Sequence, residues 1–166
     1  MGKLLAVVAA ATLVSSGHAM HPYAAFKNVL PSVKKHTSVA IFLPATLATA
    51  GADPKLYAGG SAATNTWDLE LSGAPNCGGA DACFIAGFSA KRGGKLPAGK
   101  GITSFRLSNG DTARYHPITC GASCAPATLW FTHKGVLDTW QLKDAPKNAR
   151  ATMASAAASA IAAGAR

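Results

Sequence analysis

The segment ATLWFTHKGVLDTWQL, residues 127–142, predicts two antiparallel strands joined by a tight turn. Its halves are rich in aromatic and β-branched residues, and they flank Lys134 and Gly135, a pair that suits a tight turn. Trp130 and Phe131 are adjacent, so their side chains point to opposite faces of the strand. One of these faces is therefore either outside the main core or covered by a helix.

Further strand patterns precede this hairpin. In TWDLELS, residues 66–72, apolar side chains alternate with Asp68 and Glu70, which is typical of an antiparallel strand with one solvated face. Asn109-Gly110 predicts a type I′ turn between two more strands. The remaining predicted strands are SVAIFL (38–43), ACFIAGFSA (82–90), ITSFRLS (102–108) and DTARYHPIT (111–119). Together with the hairpin they predict an antiparallel β-meander of about seven strands.

Helical patterns flank the strands. Apolar residues recur at helical spacing between residues 20 and 36, where Pro31 interrupts or restarts the helix. These apolar residues are Phe26, Val29, Leu30 and Val33. Residues 45–64, rich in Ala, Gly and Pro, are predicted to form a loop. The sequence therefore predicts an α+β fold with a helix on each side of the strand-forming region.

The C-terminal helix is predicted from its ends and its narrow apolar stripe. Asp144 is placed to cap it, Pro146 suits its first turn and Gly164 ends it. The stripe consists of Met153, Ala157, Ala160 and Ile161. Because alanines bury little apolar area, this helix depends on docking against the sheet.

Residues 1–19 have the features of a secretory signal peptide. Lys3 is the only charged residue, an apolar run follows, and the small residues Gly17 and Ala19 suit cleavage after Ala19. The run is shorter than the roughly 20 apolar residues of a membrane anchor. We therefore expect a periplasmic or secreted single domain, residues 20–166, without a transmembrane segment.

The mature chain is strongly basic. It contains fifteen Lys and Arg against seven Asp and Glu, and such a surface favours anionic partners such as phosphorylated envelope polymers, acidic lipid headgroups or nucleic acid. Lys34-Lys35 and Lys91-Arg92 are the only adjacent basic pairs. Nucleic-acid binders concentrate their cations on one face and often interleave aromatic residues. We therefore expect no nucleic-acid partner.

The four cysteines form two close pairs, Cys77 with Cys83 and Cys120 with Cys124, each in a connection between predicted strands. Zinc is disfavoured, because structural sites mostly have two to four residues between paired ligands and an oxidising compartment converts thiols to disulfides. A thioredoxin-like centre needs C-x-x-C at the start of a helix. We predict two structural disulfides and favour local over crossed pairing, although spacing alone does not decide the connectivity.

Candidate ligand contacts are aromatic and basic. Trp67, Trp130 and Trp140 are candidates for a sugar-stacking platform, with the filling of a sheet-helix core as the alternative. Lys91 and Arg92 are the candidate contacts for an anionic ligand. A groove between sheet and helices for a lipid or acyl chain is another use of two apolar faces.

Catalytic and cofactor motifs are absent from the sequence. His21, His36, His116 and His133 show neither H-x-x-x-H nor H-E-x-x-H spacing, and there is no G-x-S-x-G, phosphate loop or dinucleotide fingerprint. We therefore predict no cofactor, no metal and no assigned catalytic residue.

One enzymatic alternative stays open. An envelope-directed hydrolase would have to use His116 and His133, which fall on candidate neighbouring strands, together with Asp68 and Glu70. The leading hypothesis is a non-enzymatic binding module whose basic surface contacts an anionic envelope component, a lipid or a protein.

The chain resembles a group of uncharacterised small secreted bacterial proteins. The resemblance lies in IFLPATL, CGGADACFIAGFSA, CGASCAPATLWFTHKG and SAIAAGAR, and it covers most of the mature chain. The strand order ending in LW, G and W-x-L before a terminal helix is more remotely similar to the secreted domains related to RseB and the lipoprotein carriers. That second resemblance implies a curved antiparallel sheet that holds helices and binds acyl chains.

Overall fold

A computed structural model of the protein describes residues 18–51, 55–77 and 82–166. Within these ranges the chain forms three helices and eleven strands, most of them short. In chain order the elements are β1 (His18–Met20), α1 (Pro22–Ala25), α2 (Leu30–His36), β2 (Leu47–Thr49), β3 (Tyr57–Ala63), β4 (Thr66–Ser72), β5 (Phe84–Arg92), β6 (Thr103–Arg106), β7 (Thr112–His116), β8 (Thr119–Cys120), β9 (Cys124–Ala125), β10 (Ala127–His133), β11 (Val136–Leu142) and α3 (Ala149–Ala163).

Seven strands form one antiparallel sheet in the order β3-β4-β5-β11-β10-β7-β6. The helices α2 and α3 pack on one face, which we call the core face, and the opposite face is called the outer face. Two further pairs, β1-β2 and β8-β9, lie outside this sheet. This architecture confirms the predicted α+β class with helices near both ends of the chain.

The strand order departs from a simple meander at one point. β5 pairs with β11, so the chain must cross from the middle of the sheet to its far edge before β6 begins. Residues 93–102, which we call the strap, make this crossing over the outer face. Arg114 donates hydrogen bonds to the carbonyl oxygens of Leu96 and Pro97, and the backbone of Gly94 lies against Leu137. The strap therefore covers the β11, β10 and β7 side of the outer face.

The centre of the core face is an aromatic cluster. The ring of Trp140 on β11 makes edge contacts with Phe88 on β5 at 5.5 Å and with Phe131 on β10 at 5.4 Å between centroids. Phe88 in turn contacts Phe26, which lies between α1 and α2, at 5.9 Å. Edge-to-face pairs of this kind stabilise beyond their area of burial. The cluster therefore joins the helical layer to three neighbouring strands.

Two predictions about local structure were wrong. Residues 38–43 are not a strand, although Val39, Ile41 and Leu43 are buried as a strand-like composition suggests. The indole nitrogen of Trp67 donates to the carbonyl of Ala40 at 3.1 Å, so this segment lies on the core face without joining a ladder. Residues 45–64, expected to be a loop, contain β2 and the seven-residue β3, because pairing with β4 overrides the low strand propensity of Gly and Ala.

The two predicted turns differ in type. Lys134 and Gly135 both have positive φ, 48° and 77°, as a two-residue type I′ hairpin requires. At Asn109-Gly110 only the glycine has positive φ, and the backbone nitrogen of Leu107 donates to the carbonyl of Asp111 at 2.9 Å. The hairpin was predicted correctly, but its loop has three residues and is not type I′.

The C-terminal helix packs as predicted but begins later. Met153, Ala157 and Ala160 are buried, and the helix ends before Gly164. Asn148 precedes its first residue, and Asp144 is not the cap. The carbonyl of Asp144 instead accepts a hydrogen bond from the backbone nitrogen of Ala50, at 2.7 Å.

The predicted signal peptide lies outside the described residues, apart from His18 and Ala19 in β1. Met20, the buried residue of that strand, would remain after cleavage behind Ala19. In the described ranges, no helix combines the length and apolar character needed to cross a bilayer.

Two adjacent glycines on β3 provide a matched test of this packing. A Cβ atom at Gly60 would lie 2.5 Å from Leu69 Cδ2 and 3.0 Å from the carbonyl oxygen of Asp68, whereas one at Gly59 would meet nothing within 4 Å. We expect Gly60→Ala to lower the free energy of unfolding by about 1–3 kcal/mol. Gly59→Ala should leave it unchanged or slightly higher. Urea denaturation measures both, and equal losses would contradict the close approach at Gly60.

Candidate functional site

Several basic residues lie at one end of the sheet, with Lys91 on its outer face and Arg92 on its core face. Arg92 is paired with Val136 at the start of β11, and the backbone nitrogen of Gly93 donates to the carbonyl of Gly135 at 2.9 Å. These contacts place the end of β5 and the start of the strap beside the β10-β11 turn, which contains Lys134. We define the basic tip as Lys91, Arg92, Lys95 and Lys134.

The side chains of the basic tip are exposed and form no ion pair with any carboxylate in the described ranges. Arg92 Nη2 donates to the carbonyl of Ser38 at 3.1 Å, which fixes one end of its guanidinium. In the ladder between β4 and β5, Lys91 directly faces Thr66, and Asp68 is its diagonal neighbour, two residues further along β4. Diagonal neighbours are about 7–8 Å apart, a distance that a long side chain can span, but Lys91 and Asp68 form no ion pair in the structure.

The loop between β6 and β7 is followed by a carboxylate, that of Asp111, which has two hydrogen-bond partners. Asp111 Oδ2 lies 2.6 Å from His133 Nδ1 and accepts a hydrogen bond from the Asn109 amide at 2.8 Å. The side chains of His133 and Asp111 are only 16% and 24% exposed. This carboxylate forms no ion pair with Lys134 in the structure.

The C-terminal end of α2 adds cations beside the basic tip. Ser38, two residues after the helix, donates from its backbone nitrogen to the carbonyl of Thr64 at 3.0 Å, in the β3-β4 turn. Lys34 and Lys35 occupy the last turn of this helix and are exposed. Exposed ammonium and guanidinium groups without carboxylate partners attract phosphate or carboxylate ligands. The chemistry available here is anion binding.

Only two of the five predicted ligand contacts lie together at the surface. Trp67 and Trp140 are 1% and 0% exposed, so they form part of the core and not a sugar-stacking platform. Trp130 is half-buried on the outer face, where it pairs with Thr139 on one side and Arg114 on the other. Lys91 and Arg92 belong to the basic tip.

The four residues of the hydrolase alternative are not brought together. His116 faces Thr128 on β10, whereas His133 is five positions further along that strand, a separation of about 16 Å. Asp68 and Glu70 are on β4, which is four strand spacings from β7, or about 19 Å. Since these groups share no site, they cannot act jointly as an acid-base set.

The contact of His133 with Asp111 was missed by the sequence analysis. Asp111 follows one hairpin loop and His133 precedes the other, so the pairing of β7 with β10 brings them face to face. The ring of Phe42 contacts the His133 imidazole edge-on at 5.4 Å. The turn residues that flank Asp111 and His133 in the sequence could have predicted this contact. It links the β6-β7 turn to the β10-β11 turn beside the basic tip.

Both disulfides have the favoured local pairing. Cys77 is bonded to Cys83 and Cys120 to Cys124, so the chain holds no free thiol. The second bridge closes the exposed β8-β9 hairpin. Among the described residues no group of three or more His, Cys, Asp or Glu could hold a metal ion. The cysteines therefore act as structural crosslinks.

Asp138 is a buried carboxyl that the sequence analysis did not single out. It is 0% exposed, and neither oxygen has a hydrogen-bond partner within the described part of the chain. Its ladder partners are Phe131 on β10 and Ala90 on β5. This apolar burial raises the pKa of Asp138 to about 8. The alternation in VLDTWQL could have revealed it, because Asp138 shares a face with Trp140 and Leu142.

A shallow depression of about 320 Å³ lies on the outer face beside β3 and β4. Tyr57, Gly59 and Ser61 line it from one strand, and Asp68 and Glu70 from the other. Asp68 is exposed as a residue, but partial burial of its carboxyl raises its pKa. This depression is the acidic part of the outer face.

The chain matches no protein-family model, no curated protein and no solved structure.

The buried carboxyl predicts an unusual pH dependence. Below pH 4 Asp138 is protonated in both states, whereas between about pH 4 and 8 the unfolded chain releases a proton that the folded chain retains. The free energy of unfolding should therefore fall as pH rises through this range, by up to ~1.4 kcal/mol per pH unit. Urea denaturation at a series of pH values measures this slope.

Two variants test whether Asp138 causes the decrease in the free energy of unfolding with rising pH. Asp138→Asn should flatten it and raise stability at pH 7, because a neutral isostere cannot ionise. Asp144→Asn, at an exposed position, should retain it. A wild-type protein whose stability rises between pH 4 and 8 would contradict the assignment.

Proposed function

We propose that the protein is an exported, non-enzymatic binding module whose basic tip holds an anionic component of the cell envelope. The observation that carries the proposal is that Lys91, Arg92, Lys95 and Lys134 lie at one end of the sheet without an ion-paired carboxylate. Nonlocal strand pairing holds the backbones of these residues at the same end of the sheet, so their like charges repel one another. An anion that binds there relieves this repulsion.

Export is supported by the cysteine chemistry. Two disulfides persist in the periplasm or outside the cell and are rare in the cytosol. The N-terminal pattern of a basic start, an apolar run and small residues supports the same destination. We therefore assign the mature protein to the periplasm or the extracellular space.

The chemistry of the basic tip favours a polymer with repeated phosphate or carboxylate groups. Several exposed cations at one end of a sheet can contact successive charges along a flexible anionic polymer. Such a polymer does not need an enclosed pocket to bind. The remote resemblance to lipoprotein carriers would instead imply an acyl chain on the core face. Trp140, Phe88 and Phe131 occupy the centre of that face, so a lipid would have to displace them.

The direct test compares binding by variants of equal charge. Lys91→Gln combined with Lys134→Gln should weaken binding of long-chain polyphosphate about tenfold, since each exposed ion pair contributes up to about 1 kcal/mol. The control, Lys27→Gln combined with Lys147→Gln, removes two exposed lysines outside the basic tip and should leave affinity nearly unchanged. Fluorescence anisotropy with labelled polyphosphate at low and high salt gives the affinities and the salt dependence.

A second binding experiment tests whether the ligand is an anionic polymer or an anionic membrane surface. Vesicles of phosphatidylglycerol and phosphatidylcholine should bind more weakly than polyphosphate if a flexible polymer is the natural ligand class. Equal losses in both double variants would show that net charge alone attracts the anion and would contradict a defined site. Binding that is insensitive to salt would also contradict the proposal.

A further inference from the structure

The two edges of the seven-stranded sheet are protected to different degrees. β6 forms one edge, has four residues and carries Arg106. β3 forms the other edge, has seven residues and contains neither charge nor proline. In the described part of the chain no strand pairs with the outer side of β3. Long, uncharged edges are the ones available to pair with another strand.

We propose that two copies of this chain pair through β3, antiparallel, about a two-fold axis at Ala58. The two β3 strands then overlap at residues 57–59, residues 55 and 56 extend the pairing to residues 61 and 60 of the second copy, and the sheet of one copy continues into the sheet of the other. In this register Tyr57 lies opposite Gly59 of the second copy, and Lys55 lies opposite Ser61 of the second copy. Each contact occurs twice, because a two-fold axis makes the interface self-complementary.

At the centre of this register, a large side chain of one copy lies opposite an open position on the other copy. A Cβ atom at Gly59 would meet nothing within 4 Å, so the outer face is open at this point. Tyr57 shares the outer face with Gly59, since side chains two residues apart point the same way. The aromatic ring of one copy can therefore cover the glycine of the other, an arrangement that stabilises edge glycines.

The charges of the two copies also complement each other. Ser61 is paired with Asp68 on β4, so Lys55 of the second copy would be two strand spacings, about 10 Å, from Asp68. The small side chain of Ser61 leaves space between them, and an extended lysine spans most of this distance. Lys55 Nζ now lies over the ring of Tyr57, at 5.3 Å, on the exposed surface. Two symmetric ion pairs would thus form in the acidic depression.

The same register separates the basic helices. α2 packs over β3 near Gly60, where a Cβ atom would lie 3.1 Å from Val29 Cγ1. Gly60 falls opposite Leu56 of the second copy, so the two Gly60 positions are four residues, or about 13 Å, apart along the strand. The helices that carry Lys34 and Lys35 are therefore offset and do not oppose each other directly.

The paired area is small, so the dimer should form only at high protein concentration. One strand and its neighbouring side chains bury less than the roughly 1,200 Å² typical of stable interfaces. The positive net charge of the chain also opposes association. This interface contains no residue of the basic tip, so it stands independently of the proposed anion binding.

Sedimentation velocity over a wide concentration range tests the pairing. We expect a reversible shift from monomer to dimer, and Gly59→Lys should weaken it at least tenfold because it places a charge where Tyr57 of the second copy would lie. Gly121→Lys is the matched control, since that glycine also has open space around it and adds the same charge elsewhere. A chain that stays monomeric at every concentration, or equal effects of both variants, would overturn the proposal.

A charge exchange tests the register. Lys55→Asp and Asp68→Lys should each weaken the dimer at least tenfold, because each places like charges together. The double variant should restore most of the lost affinity. Circular dichroism of each variant shows that the monomer still folds. Failure of the double variant to recover would overturn the pairing about Ala58.

Discussion

The packing of Trp140 between Phe88 and Phe131 is the contact on which the rest of the structure depends. It joins β5 to the hairpin of β10 and β11, which is adjacent to β5 in the sheet but distant from it in the chain, and through Phe26 it holds the helical layer in place. The pairing of β5 with β11 forces the strap to cross the outer face. The same pairing brings Lys134 beside Arg92. A core contact thus creates the surface feature to which we assign function.

The division of the sheet into two faces explains where function can lie. The core face is occupied by packing, and the carboxyl of Asp138 is sealed there among apolar neighbours. The strap covers the β11, β10 and β7 side of the outer face. The accessible features to which we assign binding are the basic tip, the acidic depression and the edge at β3. We propose that the basic tip binds an external anion and that the acidic depression and the β3 edge bind a second copy of the chain.

Much of the fold could be predicted from local pattern. Alternation in residues 66–72 and 127–142 identified strands because one face of each is buried, and the short cysteine spacings favoured the pairing that the structure contains. The strand predicted at residues 38–43 was wrong because buried irregular segments and strands have the same composition. β3 was missed because its Gly and Ala residues acquire strand structure only through β4. For the candidate site, Lys91 and Arg92 were visible as a pair, whereas the proximity of Lys134 depends on a nonlocal ladder. The burial of Trp67 and Trp140 depends on which face the helices cover, which periodicity does not specify.

The central claim is that anions bind at the basic tip and not at the whole basic surface. Titration of isotopically labelled protein with polyphosphate, followed by amide chemical shifts in two-dimensional NMR spectra, tests this directly. The account predicts that the largest shifts fall on Lys91, Arg92, Lys95 and Lys134, with smaller ones on neighbouring turn residues. Shifts spread evenly over exposed lysines, or concentrated on α3, would contradict it.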